Sequence, residues 1–240
     1  MRYLDLADQL RARMAEGRVG RGGALPSEAE LATEYGTSRV TVRRALDLLR
    51  QEGLVTSRQG AGWFVAFDPV RQPLGRVTTI EAALEAAGAT PGRKILAFGF
   101  VGAPAPAAAA LQTSAGTDVL RVERLNLADD RPFALVVVWV RGDLGADLSR
   151  ADVEHAPFYD LLPLRGVALG TVHQTIGAEI ADATTARSLD ADPGTALLVA
   201  RRVTYDIGGA PVLYSEHRYP ADRTTLEIEF SLNVGVLEHV

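Results

Sequence analysis

From Ser38 to Arg44 the chain runs Ser-Arg-Val-Thr-Val-Arg-Arg, so two short hydroxyl side chains and three guanidinium groups share one short stretch. A guanidinium fork matches the paired acceptors of guanine and of phosphate, and small hydroxyls fit close to base edges and backbone. Val42, Ala45, Leu46 and Leu49 recur at helical spacing and turn inward. The same spacing turns Arg39, Arg43, Asp47 and Arg50 outward, with Arg44 beside them. A charge run alone is ordinarily a solvated face. Short polar residues and arginines at the start of the helix point instead to nucleic-acid reading.

Groupings for catalysis are missing. The histidines, His155, His173, His217 and His239, are scattered and show no H-E-x-x-H spacing. The chain has no cysteine, which excludes a disulfide framework and a thiolate metal site. It has no G-x-S-x-G elbow and no P-loop. Ser215, Glu216 and His217 are adjacent, but a strand throws Glu216 to the opposite face from the other two. We therefore expect no catalytic residues, no metal and no cofactor.

The elements around Ser38 follow from local rules. Ser27 and Glu30 form an S-x-x-E capping box ahead of an apolar stripe at Leu31, Ala32 and Tyr35. Gly36 ends that helix, Ser38 caps the next, and Gly53 stops it. Leu54 to Ser57 and Trp63 to Val65 can pair as strands around Gly60-Ala61-Gly62. Two helices, a short turn and a glycine-tipped hairpin make a helix-turn-helix with a wing. Residues 3–16 place Leu4, Ala7, Leu10 and Met14 on one face, predicting a first helix packed beneath the pair. Arg11, Arg13, Arg18 and Arg21 are either solvated or within reach of phosphate.

This stretch, LPSEAELATEYGTSRVTVRRALDLLRQEGLV followed by RQGAGWFV, resembles the winged-helix domain of GntR-family bacterial transcription regulators. The resemblance implies that Ser38, Arg39, Thr41 and Arg43 contact DNA and that Gly60 lets the wing approach it closely. Ala29 and Ala61 stand where many members carry arginine, which implies weaker phosphate anchoring here.

Beyond Val65, FDPVRQPLGR carries two prolines and a glycine and reads as a linker. The expected organisation is a winged helix over 1–66, a linker over 67–76 and a second domain over 77–240. In that second domain Thr78 to Ala87 and Pro157 to Leu164 read as helices. Ile95 to Val101, Asp118 to Asn126 and Val167 to Ile180 read as strands. Phe133 to Val140 is apolar enough to lie mid-sheet. Leu197 to Asp206 and Pro211 to Tyr219 form a hairpin about Gly208-Gly209. Successive strands with short turns predict an α+β domain, an antiparallel sheet with helices to one side.

RVERLNLADDRPFAL, FYDLL and ARSLDADPGTALLVARRVTYDIGGAPVLYSEHRYPADR resemble the UTRA effector domain of the HutC subfamily. That implies a chorismate-lyase-like fold, a small-molecule pocket and a homodimer. Residue by residue it implies effector contacts from Arg124, Tyr159, Tyr219 and Thr79, with Asn126 in the position of a second arginine. Val136 and Leu213 stand where sugar-binding members carry glutamates, and Pro157 where they carry serine. Those departures favour a mono-anionic or neutral, partly apolar effector over a phosphosugar such as glucosamine-6-phosphate.

Composition agrees with a DNA partner once it is divided. The net charge is −5, yet residues 1–66 hold 10 Arg against 8 Asp and Glu, a net of +2, and the remainder is acidic. The chain shows no signal peptide and no apolar run that spans a bilayer, which favours a soluble cytoplasmic protein. The expected function is a transcription regulator, most simply a repressor released from a palindromic operator by its effector. The alternatives are a lyase-like enzyme with an appended DNA-binding domain, and an architectural DNA-binding protein without a ligand.

Overall fold

The computed structural model describes residues 2–16, 23–58, 62–66, 69–75 and 77–229 of the 240-residue chain. Gly60, Ala61, Arg18, Arg21 and His239, all singled out from the sequence, lie outside the described residues.

The N-terminal part builds α1 (Tyr3–Ala15), α2 (Glu28–Glu34), α3 (Arg39–Gln51), β1 (Val55–Arg58) and β2 (Gly62–Val65). Ser27 accepts from the Glu30 amide at 3.2 Å while Glu30 accepts from the Ser27 amide at 2.8 Å, closing the capping box. Gly36 turns the chain with φ +58°, a left-handed conformation that glycine adopts without a Cβ clash. Ser38 then caps α3. Leu6, Leu10, Leu31, Val42, Leu46 and Leu49 close one core beneath β1. On α1 the buried face is Leu6, Ala7 and Leu10. Leu4, expected inside, is exposed; the helix is rotated so that Leu6 and Leu10, four apart, point at α3.

The second part begins with β3 (Val70–Pro73) and α4 (Ile80–Ala86), followed by β4 (Pro91–Gly102), α5 (Ala105–Ala110), β5 (Asp118–Ala128) and β6 (Arg131–Arg141). The short helices α6 (Gly142–Gly145), α7 (Arg150–His155) and α8 (Phe158–Leu164) come next, then β7 (Leu169–Ile180) and α9 (Ala183–Ser188). The last three strands are β8 (Ala196–Asp206), β9 (Pro211–Pro220) and β10 (Thr224–Glu227). Six strands form one antiparallel sheet in the order β4-β5-β6-β9-β8-β7. The apolar strand β6 lies inside it, as its composition predicts.

Helices cover both faces of this sheet, which corrects the one-sided expectation. Val136, Val138 and Val140 of β6 pack with residues of α4, α7 and α8. The alternate residues Val137 and Trp139 pack with α5, and Leu135 packs with α9. A strand buried on both sides needs apolar residues at successive positions, and β6 has them.

The presumptive linker is also different. Prolines at 69 and 73 suggest a loop, but Val70–Pro73 pairs in parallel with Thr224–Glu227. The pair has only two strands, so Pro73 at its end removes no ladder bond from a neighbour. The Gln72 amide donates to Thr224 Oγ1 at 2.8 Å, and both side chains are buried.

The winged-helix core carries a direct stability expectation. Leu46 is fully buried, so Leu46→Ala should cost about 2–5 kcal/mol in urea unfolding, whereas Val40→Ala on the exposed side of the same helix should cost little.

Candidate functional site

Two sites emerge, one on each half of the chain. The first is the outer face of α3. Ser38, Arg39, Arg43 and Arg44 are exposed there, and Thr41 is half-buried. Ser38 Oγ accepts from the Thr41 amide at 3.2 Å and shares a hydrogen bond with Thr41 Oγ1 at 2.9 Å. The two hydroxyls thus fix the first turn of the helix, and the arginines project beyond it. The Arg43 guanidinium is bound on one edge by Glu28 of α2. That bond, together with one from Trp63, holds the Glu28 carboxyl below the usual carboxylate range against its partial burial.

The second site is a cavity between α4, α8 and one face of the sheet. Thr79, Ile80 and Glu81 line it from α4 and its cap, and Pro157, Phe158 and Tyr159 from α8 and its cap. The sheet contributes Arg124, Val138, Arg202, Leu213, Ser215 and His217. Strand register explains the grouping. Arg124 lies opposite Val136, Val136 opposite His217, and Arg202 opposite Ser215, so these side chains share one face. The water-sized space inside is about 30 Å³. That holds a water or two, not a metabolite. Thr79, Glu81 and Pro157 also border an outer hollow of about 510 Å³, so they form the partition between cavity and surface.

Arg124 dominates the cavity. It is buried, its Nε and Nη1 have no hydrogen-bond partner, and its guanidinium lies 5.7 Å from the Phe158 ring centroid. Burial, reinforced by the charge of Arg93, lowers its pKa to about 10, and Glu81 opposes the shift. It remains a cation at neutral pH. Glu81 does not bond to Arg124. Its Oε1 accepts from Arg93 Nε at 3.1 Å, from Arg93 Nη2, and from Asn126 Nδ2 at 2.8 Å. Burial raises the Glu81 carboxyl, but the charges of Arg93 and Arg124 outweigh it and keep Glu81 ionised.

A buried polar chain continues from the cavity. Ser215 Oγ meets His217 Nε2 at 3.0 Å, and His217 Nδ1 meets Tyr219 Oη at 3.3 Å. Burial, with the charges of Arg202 and Arg124, keeps His217 neutral by lowering its pKa well below the ordinary histidine value. Glu216 points to the other face, where Tyr214 donates to it at 2.8 Å. No catalytic triad forms.

Of the effector residues expected from sequence, Thr79, Arg124 and Tyr159 line the cavity. Tyr219 lies just beyond the lining, against His217. Asn126 is fully buried and bonds Glu81 instead of facing the cavity. Val136 is buried in the core, whereas Leu213 and Pro157 do line the cavity. Sequence reasoning missed Arg202, Ser215, His217, Phe158 and Glu81. Period-two alternation along β8 and β9 was the signal available. It puts Arg202 and Thr204 on one face, and likewise Ser215, His217 and Tyr219.

A winged helix joined to an antiparallel-sheet domain with a small pocket is the build of a DNA-binding protein with a ligand-binding domain. The family comparisons agree. Residues 2–65 match the bacterial regulatory proteins of the gntR family, and residues 86–225 match the UTRA domain. The chain belongs to the GntR family of transcription regulators, in its UTRA-containing branch, and is not an enzyme. It is 36% identical over 222 residues to the HTH-type transcriptional regulator Rv0792c of Mycobacterium tuberculosis, covering 89% of this chain and 80% of that protein. It is 26% identical over 223 residues to the HTH-type transcriptional repressor NagR of Bacillus subtilis, covering 93% and 92%. The crystal structure of PhnF from Mycobacterium smegmatis superposes with a TM-score of 0.64 at 28% identity, over 94% of this chain and 98% of that one. The protein is therefore a DNA-binding transcription regulator with a small-molecule effector domain. Among the described residues no helix is long and apolar enough to cross a membrane, and no cluster of metal-ligating side chains occurs.

An unpartnered buried cation is costly to the empty protein. Arg124→Met keeps most of the volume and removes the charge. It should raise the stability of the ligand-free protein by about 1–2 kcal/mol in thermal unfolding while abolishing effector binding.

Proposed function

We propose that this regulator binds an inverted-repeat operator as a homodimer, as a repressor, and leaves it when a small organic anion enters the Arg124 cavity. The observation that carries the effector half is the pair of unpartnered donors on buried Arg124. A buried donor without an acceptor costs about 1–3 kcal/mol, so a ligand that supplies one gains that amount of binding. Carboxylate and phosphate oxygens fit the fork. The cavity also holds a second guanidinium, Arg202, which the sequence reading did not anticipate. Two cations argue against a neutral effector. Ile80, Val138, Phe158 and Leu213 leave no acceptor for sugar hydroxyls on those walls. The effector that fits is therefore an anion with a compact, partly apolar body.

Entry requires movement, because the cavity is too small as it stands. The partition residues Thr79 and Glu81 sit on α4, and α4 follows β3 in the chain. A ligand that holds α4 outward also acts on β3 and on the segment leading back to the wing. Its leverage is its differential affinity for the open and closed forms. On the DNA side, Ser38, Arg39, Thr41, Arg43 and Arg44 form the reading face. Arg39 and Arg43 pair with guanine, each worth about 1–3 kcal/mol. DNA as partner assigns the protein to the cytoplasm.

Titration calorimetry with small carboxylates and with glucosamine-6-phosphate tests the effector class. We expect binding from a partly apolar carboxylate and its loss in Arg124→Ala. Micromolar binding of the phosphosugar, lost in the same variant, would overturn the apolar assignment. Sedimentation tests the assembly. One winged helix makes few contacts and two-fold symmetry doubles them, so a dimer at micromolar concentration is expected. A monomer with full operator affinity would exclude it.

A further inference from the structure

Glu28 sits where α2, α3 and the wing converge. Its Oε1 accepts from Arg43 Nε at 3.0 Å and from Trp63 Nε1 at 3.2 Å. Its Oε2 accepts from Arg43 Nε at 3.2 Å and Nη2 at 2.7 Å. The Glu28 side chain is 20% exposed and that of Arg43 is 66% exposed. Trp63 belongs to β2, is nearly buried, and carries the Arg50 guanidinium 6.0 Å from its ring centroid. One carboxylate thus ties the wing, α2 and the outward arginine of α3 together.

A guanidinium has two edges that present paired donors: Nε with Nη2, and Nη1 with Nη2. Glu28 occupies the first. The second is the edge that meets O6 and N7 of guanine end-on, and Nη2 has one hydrogen for each partner. A mask would cover the outer edge and would have to break on DNA binding. Glu28 leaves that edge in solvent, so both contacts can exist together. Holding the fork in one plane gives up its rotational freedom before docking, and that preorganisation favours the complex.

We propose that Glu28 is the positioning residue that sets the guanidinium plane of Arg43 for base reading, and that Trp63 holds Glu28 in place. The proposal rests on Arg43 as a base contact. It differs in sign from a purely electrostatic role. Glu28 is a negative charge near the DNA face, so removing it without a positioning effect should tighten binding to every duplex.

The test uses the full chain and a duplex that it selects from a random-sequence pool. Binding to that duplex, to its single-base-pair variants and to an unrelated duplex is measured for wild type, Glu28→Gln, Arg43→Ala and the double variant. Glu28→Gln should lose about tenfold on the selected duplex and flatten the preference at the base pair that Arg43→Ala flattens. Binding to the unrelated duplex should stay the same or rise, and the double variant should be no worse than Arg43→Ala. Trp63→Phe keeps the ring and drops only the donor, so it should give a smaller loss at the same base pair. Retained preference in Glu28→Gln, or uniform tightening on all duplexes, overturns the proposal. If Arg43→Ala flattens no position, the base-reading premise fails and the positioning role goes with it.

Discussion

The second half of this protein is arranged around a guanidinium that has been taken out of water and only partly compensated. Moving a cation into a protein interior costs several kcal/mol unless partners replace its hydration. Around Arg124 the replacements are indirect. Glu81 supplies a nearby negative charge, but its Oε1 bonds go to Arg93 and Asn126. Phe158 supplies a ring face. His217 stays neutral because it is buried and because Arg202 and Arg124 already bring positive charge to the site. The residual deficit is left at the cavity, and it is the observation behind the proposed anionic effector.

A buried hydrogen-bonded chain leads away from the same cavity. Ser215, His217 and Tyr219 form a buried hydrogen-bonded chain along β9. Gln72 and Thr224 then fasten β3 to β10. β3 is therefore held in place. Its Gln72 side chain is buried against β10, and in the chain it lies between the wing and α4. Coupling between two sites requires an element whose arrangement both can bias. β3 has that position, and a free loop of the kind that the prolines suggested would not.

Much of the winged helix was legible because its signals are local. The Ser27–Glu30 box, the Gly36 turn and the Ser38 cap each depend on residues within four positions of one another. The wing strands and the α3 apolar face follow from periodicity. The sheet strands were also placed closely, since each carries its own pattern. Their order was not, because β6 beside β9 joins residues some eighty positions apart and no local rule encodes that pairing. The cavity suffered most from this. A resemblance points to Arg124 and Tyr159, which line the cavity, but Arg202 looks like any charged strand residue until register puts it opposite Ser215. Asn126 shows the converse. It was placed in the effector site by position in a motif, and the structure gives its amide to Glu81 instead.

In the proposed function, Arg43 and Arg124 are one kind of side chain fitted to two kinds of anion. Arg43 keeps an edge in water and has its other edge fixed by a carboxylate. Its charge is already solvated, so contact with DNA gains little from relief of burial. What it gains is geometry, and geometry is what distinguishes one base from another. Arg124 has the opposite setting. It is buried, its Nε and Nη1 have no acceptor, and the space before it is small. Any suitable small anion relieves it, so discrimination there falls to the shape and polarity of the surrounding walls. A regulator needs both arrangements. The operator must be chosen among very many similar sequences, which demands a braced fork. The effector must shift an equilibrium, which demands a site that is costly when empty.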